Sequence, residues 1–343
     1  MTVLFESSWQ WCEAMLPRVS RTFALCIRFL PDGVRRPVLL SYLLCRVADT
    51  VEDDPELTPP RKRELLDLFA CALNDPAVDL KEFATALPGR RDADAQVAGR
   101  ADLVVELLHE QPLAVREAVV PWVEEMCRGM AEFASSRPLV TQDGASLRFL
   151  ETEADLDRYC YFVAGTVGHL LTALFTTLRP RITPKAATQL DALAEDFGAG
   201  LQLVNILVDV ANDRQRGVSY VPETVYRAEG LMAADLLSPA QQPRARAALA
   251  RVAARARQRL QQAREYCLIM PRTEYQLRLF CLVPYYLALR TLRALEHDGQ
   301  YPAAGQRVKI GRSAVYRTVA AARVCAASNH LLRAYAWRLE EIA

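Results

Sequence analysis

An all-α fold is what this sequence predicts, and three observations lead there. Ala, Leu, Arg and Glu dominate the composition, strand-type apolar/polar alternation is rare, and glycine accounts for only 14 of 343 residues. The chain is 51% hydrophobic with a net charge of +1, enough apolar material for a large core and a charge balance with nothing to attract nucleic acid. No Gly/Ser linker or abrupt shift in composition divides it, so one domain over residues 1–343 is expected. Nine cysteines, at positions 12, 26, 45, 71, 127, 160, 267, 281 and 325, form no CxxC pair and mostly fall in apolar helical contexts. They read as reduced core residues of a cytoplasmic protein.

The N-terminal MTVLFESSWQWCEAMLPRVS lacks a basic region followed by an apolar one, so a secretion signal is not expected. Ser20, Arg21 and Phe23 open a predicted helix running to Pro31, and taken alone they read as an N-cap followed by a core aromatic. The next helix ends in YLLCRVADTVEDD. At about 100° per residue, Tyr42, Arg46, Asp49 and Asp53 fall on one stripe. Leu43, Leu44, Val47 and Ala48 point elsewhere, toward packing partners. Glu52, Asp53 and Asp54 crowd the helix end set by Pro55, where the macrodipole favours cations. A bound metal would neutralise them; a solvated acidic helix end is the plain alternative.

A Pro-rich turn leads to a helix around Leu65–Leu73, and residues 75–101 read as the least regular stretch, rich in surface loops. A long amphipathic helix is expected over 113–134, its small Gly129 and Ala131 allowing close helix approach. The most apolar run, FVAGTVGHLLTALFTTL over residues 162–178, is short for a membrane span and contains His169 and four threonines, so a buried core helix is expected. Gly165 and Gly168 each cost roughly 1 kcal/mol against Ala inside a helix, which implies a close neighbour on that face. Tyr159 and Val163 would line it too. In QLVNILVDVAND, Gln202, Asn205, Asp209 and Asp213 form a second stripe, on a helix otherwise apolar nearly all round. Two oxygen-bearing stripes suggest opposed walls. Carboxylates at i and i+4 on each are hard ligands for Mg²⁺, whose shell water and substrate phosphates usually complete, so the inferred substrate is a diphosphate. Residues 240–268 read as a scaffold helix, and Pro284 lies within a further one from Glu274 to Leu295.

The two aspartate stretches, together with SRTF at Ser20–Phe23, YCYFVAGTVG at Tyr159–Gly168 and LQLVNILVDVANDRQRGVSYVP at Leu201–Pro222, resemble the squalene and phytoene synthase family. The motif-bearing part runs from about residue 20 to 312. The resemblance implies a helical bundle of the isoprenoid synthase type around a central apolar cavity. It implies head-to-head condensation of two prenyl diphosphates, with Mg²⁺ on Asp49, Glu52, Asp53, Asp209 and Asp213. By the same resemblance Ser20, Arg21, Phe23, Arg46, Val163, Gln202, Asn205 and Tyr220 flank bound substrate. Tyr42 and Tyr159 take catalytic roles, and Phe280 offers a π face to a carbocation. A core role for Phe280 and a hydrogen-bonded structural role for Tyr159 are the plain alternatives.

Within the family, MCRGMAEF, FCLVP and VKIGRSAVY resemble the squalene-forming branch, which implies two farnesyl diphosphates condensing through presqualene diphosphate to squalene with NADPH, and Lys309 and Arg312 as cofactor contacts. Phytoene or dehydrosqualene formation without reduction, or a single half-reaction, are the alternatives. A non-catalytic relative would be expected to lose its acidic motifs. The chain departs from the family pattern at Val208 and Val218, where relatives usually carry basic residues, and Arg216 is the candidate replacement countercharge. No Rossmann glycine motif is present, so a nicotinamide would bind by other means. The terminal helix HLLRAYAWRLEEIA is amphipathic, without the hydrophobic anchor of eukaryotic relatives, so weak peripheral membrane contact is the most the sequence suggests. Oligomeric state is left open.

Overall fold

The computed structural model describes residues 2–87, 92–134, 138–140, 146–302 and 308–341. They form two compact units: Met1–Ser135 with Thr166–Ala192, and Ser136–Gly165 with Leu193–Ala343.

The first unit is built of helices. α1 is Thr2–Val19, α2 Arg21–Ile27, α3 Asp32–Glu52, α4 Pro59–Asn74, α5 Phe83–Ala86, α6 Ala93–Ala98, α7 Ala101–His109 and α8 Leu113–Phe133. α10, Thr166–Leu178, joins them later in the chain. Ser20 caps α2 as its residue type predicts, its side chain accepting the Phe23 N–H at 3.1 Å. That helix stops at Ile27, short of the expected Pro31, because the chain must turn before α3 begins at Asp32. α3 is the central element, packing on α1, α6, α7, α8 and α10. Leu43, Leu44, Val47 and Ala48 are fully buried, as their positions off the polar stripe require. α10 packs on α8 and α3, burying Thr166, Gly168, Leu170, Thr172, Leu174 and Phe175. The run Glu153–Leu178 is long and apolar enough to cross a membrane, with a mean hydropathy of 1.4 in its most apolar window. Those buried α10 side chains are the core helix the sequence predicts. Residues 75–101, expected to be loops, include the short helices α5 and α6. α6 is capped by Asp92, whose side chain accepts the Ala95 N–H.

The second unit opens with strands the composition does not announce: β1 (Pro138–Val140), β2 (Ser146–Phe149) and β3 (Val218–Ser219) form one sheet in that order. β1 and β2 are antiparallel; β2 and β3 are parallel, with Arg148 opposite Val218. These strands are too short for an alternation pattern. α9, Glu153–Cys160, starts with a capping box between Thr152 and Asp155 and runs into a π turn over Tyr161–Gly165. α11, Pro184–Gln215, contributes its later turns to this unit. It is followed by α12 (Glu223–Arg227), α13 (Gln242–Ile269), α14 (Tyr275–His297), α15 (Arg312–Cys325) and α16 (Asn329–Glu341).

The sequence implies a substrate or a neighbouring helix against Gly165, and a helix lies there. A Cβ on Gly165 would meet the Glu195 Cγ at 3.0 Å, and a Cβ on Gly200 would meet the backbone of Leu260 and Arg259 at 3.2–3.3 Å. The π turn departs from the unbroken α-helix expected here, and Gly198 of α11 packs against its Ala164 backbone. Arg255 and Arg259 on α13 bridge Glu153, Asp157, Glu195 and Asp196, tying three helices together.

All nine cysteines are free, and all but Cys71 are buried. Burial pushes the thiols of Cys12, Cys26 and Cys45 up to about 12, so they stay protonated and unreactive, in keeping with a core role.

Candidate active site

In the first unit the N-cap motif and the first aspartate stripe meet. Ser20 caps α2 through the Phe23 N–H, and the Phe23 ring lies 5.6 Å from that of Tyr42 on α3. Arg46, one turn along α3, donates to the Tyr42 oxygen at 2.8 Å and lies over its ring. The guanidinium then reaches two carboxylates: Asp49 at 3.6 Å on its own helix, and Asp94 at 3.7 Å on α6. Ser20, Phe23, Tyr42, Arg46 and Asp49 are therefore neighbours in the first unit. Arg21 is exposed at the start of α2.

The electrostatics of this cluster are set by burial and crowding. Burial pushes the Asp49 carboxyl from its ordinary value of 3.8 up to about 6; the pull of Arg46 opposes this, and the like charges of Asp53 and Asp94 add to it. Burial also raises Tyr42, so its hydroxyl stays protonated at neutral pH.

The acidic end of α3 is compensated partly by protein. Lys62, buried on α4, donates its ammonium to the Glu52 carbonyl oxygen, so a cation sits at the helix C-terminus where the macrodipole wants one. The sequence by itself points to a bound metal or a solvated acidic end, and this lysine is in neither reading. Asp54 acts locally, its buried side chain accepting the N–H groups of Glu56 and Leu57 and shaping the turn into α4.

In the second unit the other stripe runs along α11. Leu203, Val204, Ile206, Leu207 and Val210 are buried, while Gln202 and Asp209 are half-buried and Asn205 is exposed. The stripe is linked along the helix: Asn205 reaches Gln202 at 3.5 Å, Asn212 donates to Asp209 at 3.0 Å, and Arg216 donates to the buried Asp213 at 2.7 Å. Tyr159 and Tyr220, both implied by the resemblance, stack on each other with centroids 4.4 Å apart. Val163 lies in the π turn, half-buried. Phe280 is buried within α14. Lys309 and Arg312 are exposed, Arg312 as the first residue of α15.

Among the described residues no three His, Cys, Asp or Glu side chains converge closely enough to hold a metal unaided. The donor sets still fit Mg²⁺. Each stripe offers two aspartates one turn apart, and this ion characteristically takes one or two protein carboxylates and completes its shell with water and substrate phosphate. The crowding that raises Asp49 is a strain that a divalent cation would relieve.

A family model described as squalene/phytoene synthase matches residues 16–314. The chain belongs to this family. It is similar to the squalene synthase of Schizosaccharomyces pombe, 30% identical over 284 residues that cover 83% of this chain and 59% of that protein. It thus spans about three-fifths of that relative's length. Among solved structures, a ligand complex of TcSQS matches with a TM-score of 0.80 at 24% identity, covering 97% of this chain and 91% of that chain. A dehydrosqualene synthase in complex with ligand matches with a TM-score of 0.64 at 18% identity, covering 93% and 96%. At these identities the likeness is one of fold, and it meets the all-α, isoprenoid-synthase expectation.

Beside the family's motifs stands Asp94, which sequence reasoning does not find. It falls in the stretch that reads as surface loops, and its approach to Arg46 depends on α6 packing against α3, a contact no local pattern encodes. The one available signal is Asp92, a good N-cap immediately before an Ala-rich turn.

Proposed function

We propose that this chain is a prenyltransferase that condenses two farnesyl diphosphates head to head, through presqualene diphosphate, to squalene. The observation that carries the reading is the family match over residues 16–314 with both aspartate pairs, Asp49/Asp53 and Asp209/Asp213, intact within it. Similarity to the S. pombe squalene synthase favours squalene over the non-reduced products. Because the match runs across both compact units, we treat residues 1–343 as one synthase domain.

In this reading Asp49, Glu52 and Asp53 hold Mg²⁺ for one diphosphate, and Asp209 and Asp213 for the other. The metal, when bound, draws negative charge off the departing diphosphate. Arg46 and Arg216, each paired with an aspartate of its own stripe, supply further positive charge. Ser20, Arg21, Phe23, Val163, Gln202, Asn205 and Tyr220 contact substrate. Tyr42, kept protonated by burial, is a hydrogen-bond donor that does not compete as a nucleophile. Tyr159, stacked on Tyr220, is held in one orientation beside the substrate. Phe280 presents its ring to positive charge. Apolar walls exclude water, which would otherwise capture the cation as an alcohol. NADPH, when bound, supplies the hydride that separates squalene from dehydrosqualene. Lys309 and Arg312 suit its phosphates in charge, Arg312 as the first residue of the 14-residue α15 and Lys309 in the segment before it. We place the protein in the cytoplasm with weak peripheral membrane contact. Leu331 and Trp337, exposed on α16, support that contact.

The deciding experiment incubates the purified protein with farnesyl diphosphate and Mg²⁺, with and without NADPH, and identifies the hydrocarbon by mass spectrometry. Squalene formed only with NADPH is the expected result. Dehydrosqualene in both reactions would replace squalene synthesis with the non-reducing chemistry, and presqualene diphosphate alone would reduce the activity to one half-reaction. Consumption of geranylgeranyl but not farnesyl diphosphate would change the substrate.

A further inference from the structure

Arg46 is shared between two carboxylates on different elements. Its Nη1 lies 3.6 Å from Asp49 on α3, and its Nε lies 3.7 Å from Asp94 on α6; its firm hydrogen bond, at 2.8 Å, goes to Tyr42. Both carboxylate contacts are longer than a hydrogen bond, so the guanidinium is committed to neither acid. Asp94 is carried by a separate, capped helix that packs on α1 and α3, so its position is set independently of the α3 stripe. All three side chains are part-buried, with 26% exposure for Arg46, 30% for Asp49 and 35% for Asp94, so screening by water is incomplete.

We propose that Asp94 is a positioning residue that draws Arg46 away from Asp49 when a divalent cation and a diphosphate occupy the first aspartate stripe. This inference rests on the metal–diphosphate reading of that stripe. A cation bound by Asp49 repels the guanidinium that neutralises Asp49 in its absence. Asp94 offers Arg46 a second carboxylate, so the arginine need not be expelled into solvent or left unpaired. Without Asp94, Arg46 has Asp49 as its remaining carboxylate partner of the two, and the cation must compete with it.

The test is the thermal stabilisation of the purified protein by Mg²⁺ in the presence of inorganic pyrophosphate, titrated for wild type, Asp94→Asn, Asp94→Ser, Asp94→Glu, Arg46→Gln and Arg46→Gln/Asp94→Asn. Asp94→Asn is expected to raise the half-saturating Mg²⁺ about tenfold, the size of an ordinary site-to-site coupling. Asp94→Ser does the same should the Asn variant fold poorly, and Asp94→Glu recovers most of the affinity. In the Arg46→Gln background, removing Asp94 is expected to change half-saturation less than about twofold, because the effect travels through the arginine. A full shift persisting without Arg46 would mean that Asp94 acts on the ion directly and would overturn the proposal. So would unchanged half-saturation in Asp94→Asn. Wild type that shows no stabilisation by Mg²⁺ and pyrophosphate would overturn the metal–diphosphate reading itself, and this inference with it.

Discussion

A Cβ added to Gly198 would lie 1.9 Å from the carbonyl oxygen of Ala164, so α11 crosses the π turn with no room for even one methyl group. The obstacle is backbone, which cannot swing aside as a side chain can. Gly198→Ala should therefore destabilise the protein by about 3 kcal/mol or more, the upper range for overpacking. Gly165→Ala meets side chains instead, the Glu195 Cγ at 3.0 Å and the Tyr161 ring at 3.2 Å, and should lose only about 1–2 kcal/mol. Chemical denaturation of both variants checks the order; equal losses would mean that this crossing is not the tight point.

Asp49 makes the metal-free protein less stable as pH rises. Its folded value of about 6 lies above the ordinary 3.8, so between these values the native state holds a proton that the unfolded chain has released. Stability falls as pH climbs through that window, and the full penalty is present above it. Asp49→Asn should thus be more stable than wild type at pH 7.5 without metal, by up to about 3 kcal/mol before allowance for the side chain's partial exposure. The difference should vanish near pH 4. Melting curves at the two pH values, taken in chelator, test the sign, while the variant's activity with farnesyl diphosphate should be lost.

Arg216 pairs with Asp213 at 2.7 Å, between Val208 and Val218 in the sequence. Arg216→Ala leaves the buried Asp213 without that ion pair and the stripe one positive charge poorer. The KM for farnesyl diphosphate should rise about tenfold, with Arg216→Lys recovering part of it. An unchanged KM would return Arg216 to a purely structural role.

What is legible in the sequence follows from periodicity. The polar stripe of α3 and its fully buried Leu43, Leu44, Val47 and Ala48 are fixed by a 3.6-residue repeat, and the same holds for the apolar sides of α11. Contacts between elements distant in the chain leave no such mark. Asp94 reaches Arg46 from a part of the chain well beyond α3 because a six-residue helix packs there. Lys62 neutralises a helix end that precedes it in the chain. The π turn is half legible: Gly165 announces a close neighbour, but the carbonyl of Ala164 facing Gly198 belongs to the folded packing. Pairing of β2 with β3 joins segments far apart in sequence, each too short to show a strand pattern.

Arg278 is fully buried in α14, where its guanidinium donates to the Met270 carbonyl oxygen at 2.9 Å and to the Asn329 side chain at 2.8 Å. Burial lowers its proton affinity, which marks the environment as one that resists charge. The residue thus joins the loop after α13 to the start of α16 through two charge-assisted bonds. Arg278→Met fills similar volume but leaves a buried carbonyl and a buried-facing amide without their donor, a loss of about 2–4 kcal/mol. Arg278→Lys keeps the charge but lacks the planar fork that serves both acceptors at once, so it should recover less than half of that loss. Urea denaturation of the two variants tests this, with kcat at a temperature well below either melting point expected to stay within about twofold of wild type, since the bonds made by Arg278 hold the scaffold and not the aspartate stripes.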